Sequence, residues 1–347
     1  MKVLVTGPSG FVGRKVCKRL LADEIDVRGA WRKTSPLADG YESVVVGNID
    51  GSTDWSNALK GIDAVVHLAA RVHIMDDTAA DPVAAFREVN VDGTGRLAEE
   101  AAKSGVKRFV FISSIKVNGE VTLQSSDRRS EGGSQTSEVS GERRRAKNQE
   151  VSPENSSAGF SESDQPCPQD PYGQSKYEAE VTLRKIEAST GMEVVILRPP
   201  LLYGPGVKAN LLKLIHWVDK GIPLPLGGIQ NKRSLLSLTN FADVISKCLI
   251  DPRAGGRTFT VCDGDDISSA ELVERVAKAL GKAPRLITVP EWLMKCAGKL
   301  TGNSEQVQRL CSSLQVDSSH VRERLDWKPP VTMDEELGKV ARWYRSL

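Results

Sequence analysis

Tyr172 and Lys176 stand four residues apart in DPYGQSKYEAE, just after a proline. On a helix that spacing is one turn, so the phenol and the ammonium share a face. A phenol held there can exchange a proton with a substrate oxygen, and a neighbouring cation favours its charged form. Taken alone, the pair is equally an ordinary helix start. Ser114, in SSIKVNG at the end of an apolar run, is a second candidate, because a hydroxyl both donates to and accepts from a substrate oxygen. Alone, it too reads as a turn-forming serine.

A third set lies in TGPSGFVG at residues 6–13, directly after the first apolar run. Gly7, Gly10 and Gly13 form GxxGxxG, which lets the backbone turn tightly, approach a pyrophosphate and pack the following helix on a sheet. The helix N-terminus adds amide donors and the positive end of its dipole. The second run ends in GAWRKTS, where an acid would hydrogen-bond the ribose diol of NAD; Arg32 and Lys33 stand there instead and suit a 2′-phosphate. NADP(H) is therefore favoured, with NAD(H) the alternative. His67, ending the fourth run, reads as a packed histidine, and Asn90 as facing the sheet end from a helix.

These residues need a scaffold that brings strand ends together. Strands are expected at 2–7, 26–31, 43–48, 64–69, 108–114, 193–199 and 258–263, with helices near 11–22, 54–60, 82–104 and 173–190 between them. That alternation predicts an α/β fold, a Rossmann-type doubly wound parallel sheet with helices on both faces. After Pro199 the pattern changes. Breakers in RPPLLYGPG and GIPLPLGG flank a helix at 208–220, and helices follow near 240–250, 268–280, 290–300 and 333–346. The expected division is a dinucleotide-binding domain over 1–198, to which the 258–263 strand returns, and a smaller, mostly helical substrate lobe over 199–347. Residues 124–158, rich in Ser, Glu and Arg with almost no large apolar side chain, read as a disordered insertion.

The 347 residues carry 47 basic and 45 acidic side chains, a balance with no field for nucleic acid. The longest apolar runs fall far short of the ~20 residues that span a bilayer. MKVLVTG enters a strand pattern at once, which leaves no room for a signal peptide and predicts a soluble, cytoplasmic protein. The cysteines Cys17, Cys167, Cys248, Cys262, Cys296 and Cys311 lack metal-ligand spacing and read as reduced packing residues, with no metal site.

The N-terminal GxxGxxG, the strand-end Ser114 and Tyr172-x-x-x-Lys176 together resemble the extended short-chain dehydrogenase/reductase family, in its nucleotide-sugar epimerase/dehydratase branch. The resemblance covers the chain apart from the insertion. It implies that Ser114, Tyr172 and Lys176 are catalytic, with Tyr172 the general acid/base and Lys176 holding the nicotinamide ribose and lowering the phenol's pKa. It implies a cofactor site of Gly7, Gly10, Phe11, Val12, Gly13, Arg32, Lys33, Asn48, Ile49, Leu68, Ala69, Ala70, Asn90, Tyr172, Lys176 and Pro199. For a UDP-sugar substrate it implies Ser114, Lys116, Asn118, Asn210 and Arg233, the last offering a bidentate fork to phosphate. His320 and Asp326 depart from the family's C-terminal D-x-S-K and L-G-W-x-P pattern. Helices like 82–104 and 173–190 form homodimers in the family.

The expected reaction is at sugar C4, most simply reduction of a UDP-4-keto-6-deoxy-N-acetylhexosamine in surface-polysaccharide biosynthesis. The alternative is a UDP-glucose or UDP-N-acetylglucosamine 4-epimerase, and a remote one is a non-catalytic dinucleotide sensor. An epimerase re-reduces the carbon it oxidised and retains NAD; a reductase exchanges its cofactor, as Arg32 and Lys33 favour.

Overall fold

Seven parallel strands carry the fold. A computed structural model describes residues 1–33, 40–72, 81–122, 159–300, 302 and 304–347. The strands β1 (Lys2–Thr6), β2 (Asp26–Trp31), β3 (Glu42–Val45), β4 (Ala64–His67), β5 (Arg108–Ile112), β6 (Glu193–Arg198) and β9 (Thr258–Thr260) form one sheet in the order β3-β2-β1-β4-β5-β6-β9. The chain winds outward in both directions from β1 and β4, so the crevice beyond their carboxyl ends is the place for a ligand. A short pair, β7 (Leu201–Tyr203) and β8 (Leu235–Ser237), makes a second parallel sheet.

Side-chain alternation along β1 shows how the sheet is clothed. Val3 and Val5 point to one face and pack with Val16 and Leu20 of α1 (Phe11–Ala22), Phe241 and Ile245 of α7 (Leu238–Ile250), and Val321 and Leu325 of α11 (Ser319–Leu325). Leu4 points to the other, where it joins Leu59 of α2 (Ser56–Leu59), Leu97 and Ala101 of α4 (Gly93–Lys103), and Ala179 and Leu183 of α5 (Pro171–Thr190). Both faces are covered, which is why the strands read as continuous apolar runs.

A third apolar cluster joins α6 (Ala209–Asp219), α8 (Ser269–Leu280) and α12 (Met333–Tyr344) around Tyr203, Leu211, Val276 and Leu337. Further helices are α9 (Glu291–Leu300) and α10 (Ser304–Cys311). β9 pairs with β6 and so returns the chain to the main sheet, as the sequence predicts.

Three expectations are corrected. The strand expected at 43–48 ends at Val45, two residues before Gly47 at φ +77°, and the one expected at 258–263 ends at Thr260, after which the Asp263 amide donates to the Leu235 carbonyl of β8 at 2.9 Å. The helix expected over 82–104 is α3 (Pro82–Arg87), then a π-helical turn over Glu88–Asp92, then α4. The segment after Pro199 contains the β7–β8 pair as well as helices. The insertion read at 124–158 lies outside the described residues.

Candidate active site

The glycine loop closes on itself and on β4. Gly7 has φ +66°, and a Cβ there would come 3.2 Å from the Ala69 backbone nitrogen. At Gly13 a Cβ would stand 2.1 Å from the Gly7 carbonyl oxygen, so the α1 backbone rests directly on the loop. Gly10 is the N-cap of α1 and supplies no side-chain acceptor, and the first turn holds no acid. The result is an uncapped helix N-terminus over a tight backbone cradle at the sheet's switch point, which fits the pyrophosphate of a dinucleotide. Phe11 packs against Gly206 beyond β7, 3.6 Å from the position of its Cβ, while Val12 joins the core beneath.

β4 is held beside the cradle by Thr6. Its hydroxyl accepts from the Leu68 and Ala69 amides, each at 3.1 Å, which directs its own proton to His67 Nδ1 at 2.8 Å. His67 Nε2 then donates to Thr94 at 3.0 Å. Burial pushes His67 down to about 3, so it is a neutral spacer between strand and helix, as its reading as a packed histidine requires. Ala70 continues the same segment. Ile49 lies under α4, where a Cβ on Gly93 would come 2.6 Å from its Cγ2, and the Asn48 carbonyl accepts from Thr53 at 2.9 Å.

At the other end of the cradle, Arg32 and Lys33 are exposed just past β2. Trp31 occupies the last strand position. A Cβ on Gly29 would lie 3.0 Å from the Trp31 indole nitrogen and 3.1 Å from Pro8 Cγ, so the indole folds back toward the glycine loop.

Asn90 sits in the π-helical turn and is buried. Its Oδ1 accepts from the Arg71 amide at 2.8 Å, and its Nδ2 donates to the Arg71 carbonyl at 3.0 Å and to Ser175 Oγ at 2.9 Å. It thereby clamps the segment after β4 to α5, one residue from Lys176.

Tyr172 and Lys176 do share a face of α5. The Lys176 ammonium lies 6.0 Å from the Tyr172 ring centre and 4.6 Å above the Phe111 ring, and donates to the Ile112 carbonyl at 2.8 Å. Asp170 caps this helix, accepting from the Gly173 amide at 2.6 Å. Gly173 permits the closest approach, because a Cβ there would stand 2.9 Å from the Lys116 carbonyl oxygen. The first turn of α5 is therefore seated on the 3-10 turn Ile115–Val117, whose N-cap is Ser114. Beside it the Pro199 carbonyl accepts from the Ile115 amide at 3.0 Å.

The electrostatics correct one expectation. The phenol of Tyr172 is held above its ordinary value, first by burial and then by the Asp170 carboxylate. Lys176 is pushed down to about 7 by burial, against the pull of Glu180. Burial is the leading cause of both shifts, so the phenol favours its protonated form.

The substrate-side candidates divide. Lys116 is ion-paired with Asp170 and, at 2.8 Å, with Glu120. Asn118, expected to bind substrate, is instead buried, accepting from Arg198 at 3.1 Å and donating to the Ser161 carbonyl at 2.6 Å; its amide is spent inside the protein. Asn210 is exposed in the first turn of α6, whose N-cap Lys208 provides no side-chain acceptor. Arg233 donates to the carbonyls of Arg309 at 2.6 Å and Ser312 at 3.2 Å, and burial and the Arg309 charge lower its pKa. Thr6, Gly173, Glu180 and Arg198 escaped the sequence reading. For Glu180 the signal was there, since it repeats the spacing of Tyr172 and Lys176 along one helix face.

Residues 3–262 match the model of the NAD dependent epimerase/dehydratase family. The chain belongs to that family. It is thus an enzyme of the extended short-chain dehydrogenase/reductase kind, with a NAD-dependent family chemistry. It is 44% identical over 342 residues to a UDP-glucose 4-epimerase of Vibrio cholerae, covering 98% of this chain and 94% of that one. It is 26% identical over 358 residues to the N-acetyl-alpha-D-glucosaminyl-diphospho-ditrans,octacis-undecaprenol 4-epimerase of Escherichia coli O157:H7, covering 98% and 94%. Among solved structures, UDP-glucuronic acid 4-epimerase from Bacillus cereus in complex with NAD superposes with TM-score 0.73 at 20% identity, covering 100% of this chain and 97% of that one. UDP-N-acetylglucosamine 4-epimerase from Bacillus cereus does so with TM-score 0.73 at 21% identity, covering 99% of each. The last two likenesses speak to the fold alone. Among the described residues no helix is long and apolar enough to cross a membrane.

Proposed function

We propose that this enzyme carries out oxidoreduction at C4 of a UDP-hexose or UDP-N-acetylhexosamine, with Tyr172 exchanging the proton at the C4 oxygen and Ser114 hydrogen-bonded to the same oxygen. The observation that carries this reading is the seating of the first turn of α5, which carries Tyr172, on the Ser114 turn through Gly173, with Lys176 hydrogen-bonded to Ile112 at the end of β5. The bound nicotinamide supplies the hydride chemistry; the chain supplies the cradle, the orientation and the proton. Lys176 would hold the nicotinamide ribose, and Asn210 and Arg233 the UDP phosphates. Residues 1–198 would form the cofactor domain and 199–347 the substrate lobe.

4-Epimerisation is the first reading, supported by the 44% identity to a UDP-glucose 4-epimerase over nearly the full length of both chains. A second reading is favoured by the β2 end, where Trp31, Arg32 and Lys33 stand in place of an acid. Those cations suit an exchanging NADPH and so reduction of a UDP-4-keto-6-deoxy-N-acetylhexosamine. The raised phenol favours the proton-donating step, reduction of a C4 ketone, which is the second half of the first reading and the whole of the second; the opening deprotonation of an epimerisation runs against it.

The test is to purify the protein, release and identify any retained dinucleotide, and incubate it with UDP-glucose, UDP-N-acetylglucosamine and a UDP-4-keto-6-deoxy-N-acetylhexosamine, with NADH or NADPH. Interconversion of C4 epimers on retained NAD supports the first reading. Stoichiometric NADPH consumption with the keto sugar supports the second. Turnover of none of them would contradict both.

A further inference from the structure

Glu180 lies one turn beyond Lys176 on α5 and is 5% exposed. Its carboxylate takes three donors: Ser113 Oγ at 2.5 Å, and Arg198 through Nε at 3.0 Å and Nη2 at 2.6 Å. Arg198, at the end of β6 and also 5% exposed, sends its remaining nitrogen Nη1 to Asn118 Oδ1 at 3.1 Å. Ser113 precedes Ser114, and Asn118 closes the 3-10 turn that Ser114 opens. One carboxylate thus fastens both ends of the Ser114 segment, directly at its start and through Arg198 at its end. The helix that carries this carboxylate also carries Tyr172 and Lys176.

Fold stability alone does not account for such a pair. A buried ion pair replaced by well-packed apolar residues is often neutral or better, because desolvation offsets the Coulomb gain. What an apolar pair would not provide is directional attachment of the serine segment to the tyrosine helix, together with a buried negative charge one turn from an ammonium. Among the described residues, the titratable groups that act on or lie beside Lys176 are Glu180 and Tyr172 on α5 and the neutral His67 on β4, with Asp170 acting on Tyr172 and Arg198 paired to Glu180 behind them.

We propose that Glu180 and Arg198 are positioning residues for the C4 chemistry: they hold the Ser113–Asn118 segment, and Ser114 within it, on the helix that carries Tyr172 and Lys176. This rests on the reading of Ser114, Tyr172 and Lys176 as the catalytic set. Neither residue touches the reacting atoms in this scheme, so their effect falls on kcat and on its pH dependence, with nucleotide binding spared.

The experiment compares Glu180→Gln, Ser113→Ala and Tyr172→Phe for kcat and KM on the substrate turned over in the panel above, for NADH affinity by tryptophan fluorescence, and for thermal midpoint. Ser113→Ala keeps the ion pair and so covers the case in which Glu180→Gln does not fold. Expected are a fall in kcat of about tenfold for Ser113→Ala and about a hundredfold for Glu180→Gln, with KM and NADH affinity within threefold of the parent. In Glu180→Gln the alkaline limb of kcat should also move to lower pH, because Lys176 loses its counter-charge. Parent-like kcat and pH profile in a folded Glu180→Gln, or parent-like kcat in Ser113→Ala if only that variant folds, would overturn the proposal while leaving an inactive Tyr172→Phe, and hence the catalytic reading, intact. A fully active Tyr172→Phe would overturn both.

Discussion

Lys176 holds its ammonium 2.8 Å from the Ile112 carbonyl, two residues before Ser114 in the chain. This one hydrogen bond joins the helix that carries the candidate acid to the strand that delivers the candidate serine. It also gives a buried cation a neutral acceptor, while Glu180, one turn on, raises the Lys176 pKa against the effect of burial.

That arrangement predicts a pH dependence of stability. Lys176 titrates near 7 in the fold against 10.5 ordinarily, so between those values the unfolded chain binds more protons than the native one. The cofactor-free protein should therefore gain stability from this group as pH rises from about 7 to 10.5, because the unfavourable buried charge is lost. Urea unfolding at a series of pH values checks this: Lys176→Met should flatten the rise relative to the parent, and parallel curves would contradict the burial argument.

Gly173 carries a different prediction. A methyl at this position meets the Lys116 carbonyl oxygen at 2.9 Å and forces the α5 first turn off the Ser114 turn. Gly173→Ala should cost about 1–3 kcal/mol in unfolding free energy, as overpacking does. It should also lower kcat by tenfold or more while leaving NADH binding intact, because the cofactor cradle lies on α1. Denaturant unfolding with steady-state kinetics would show both.

The exposed cations after β2 set cofactor choice under the second functional reading. Losing charge-assisted hydrogen bonds of about 1.5–3 kcal/mol should weaken NADPH binding by roughly tenfold to over a hundredfold in Arg32→Ala/Lys33→Ala. NADH affinity should barely change. Titration calorimetry with both nucleotides measures the ratio, and equal losses for the two would remove the argument for a 2′-phosphate site.

Much of this was legible in the sequence because it is local. Gly7, Gly10 and Gly13 are close neighbours in the chain, and Tyr172 with Lys176 is one helical turn. The parallel sheet with helices on both faces follows from alternating apolar runs and helices. What was hidden depends on distance along the chain or on the solvent that burial removes. Nothing near Asn118 in the sequence announces Arg198 as its partner, and no spacing rule reports that burial would raise the Tyr172 phenol instead of lowering it. The π-helical turn at Glu88–Asp92 was concealed by a helical pattern that runs through it, although that turn is what aims Asn90 at Ser175.

The role of Tyr172 is tested most directly by single-turnover hydride transfer in Tyr172→Phe, followed by nicotinamide absorbance with cofactor and sugar nucleotide both saturating. General acid/base catalysis of this kind contributes about 10²–10⁴-fold, so the variant should transfer hydride slower by that factor while binding NADH within threefold of the parent. Hydride transfer at the parental rate would contradict the assignment of Tyr172 as the proton donor.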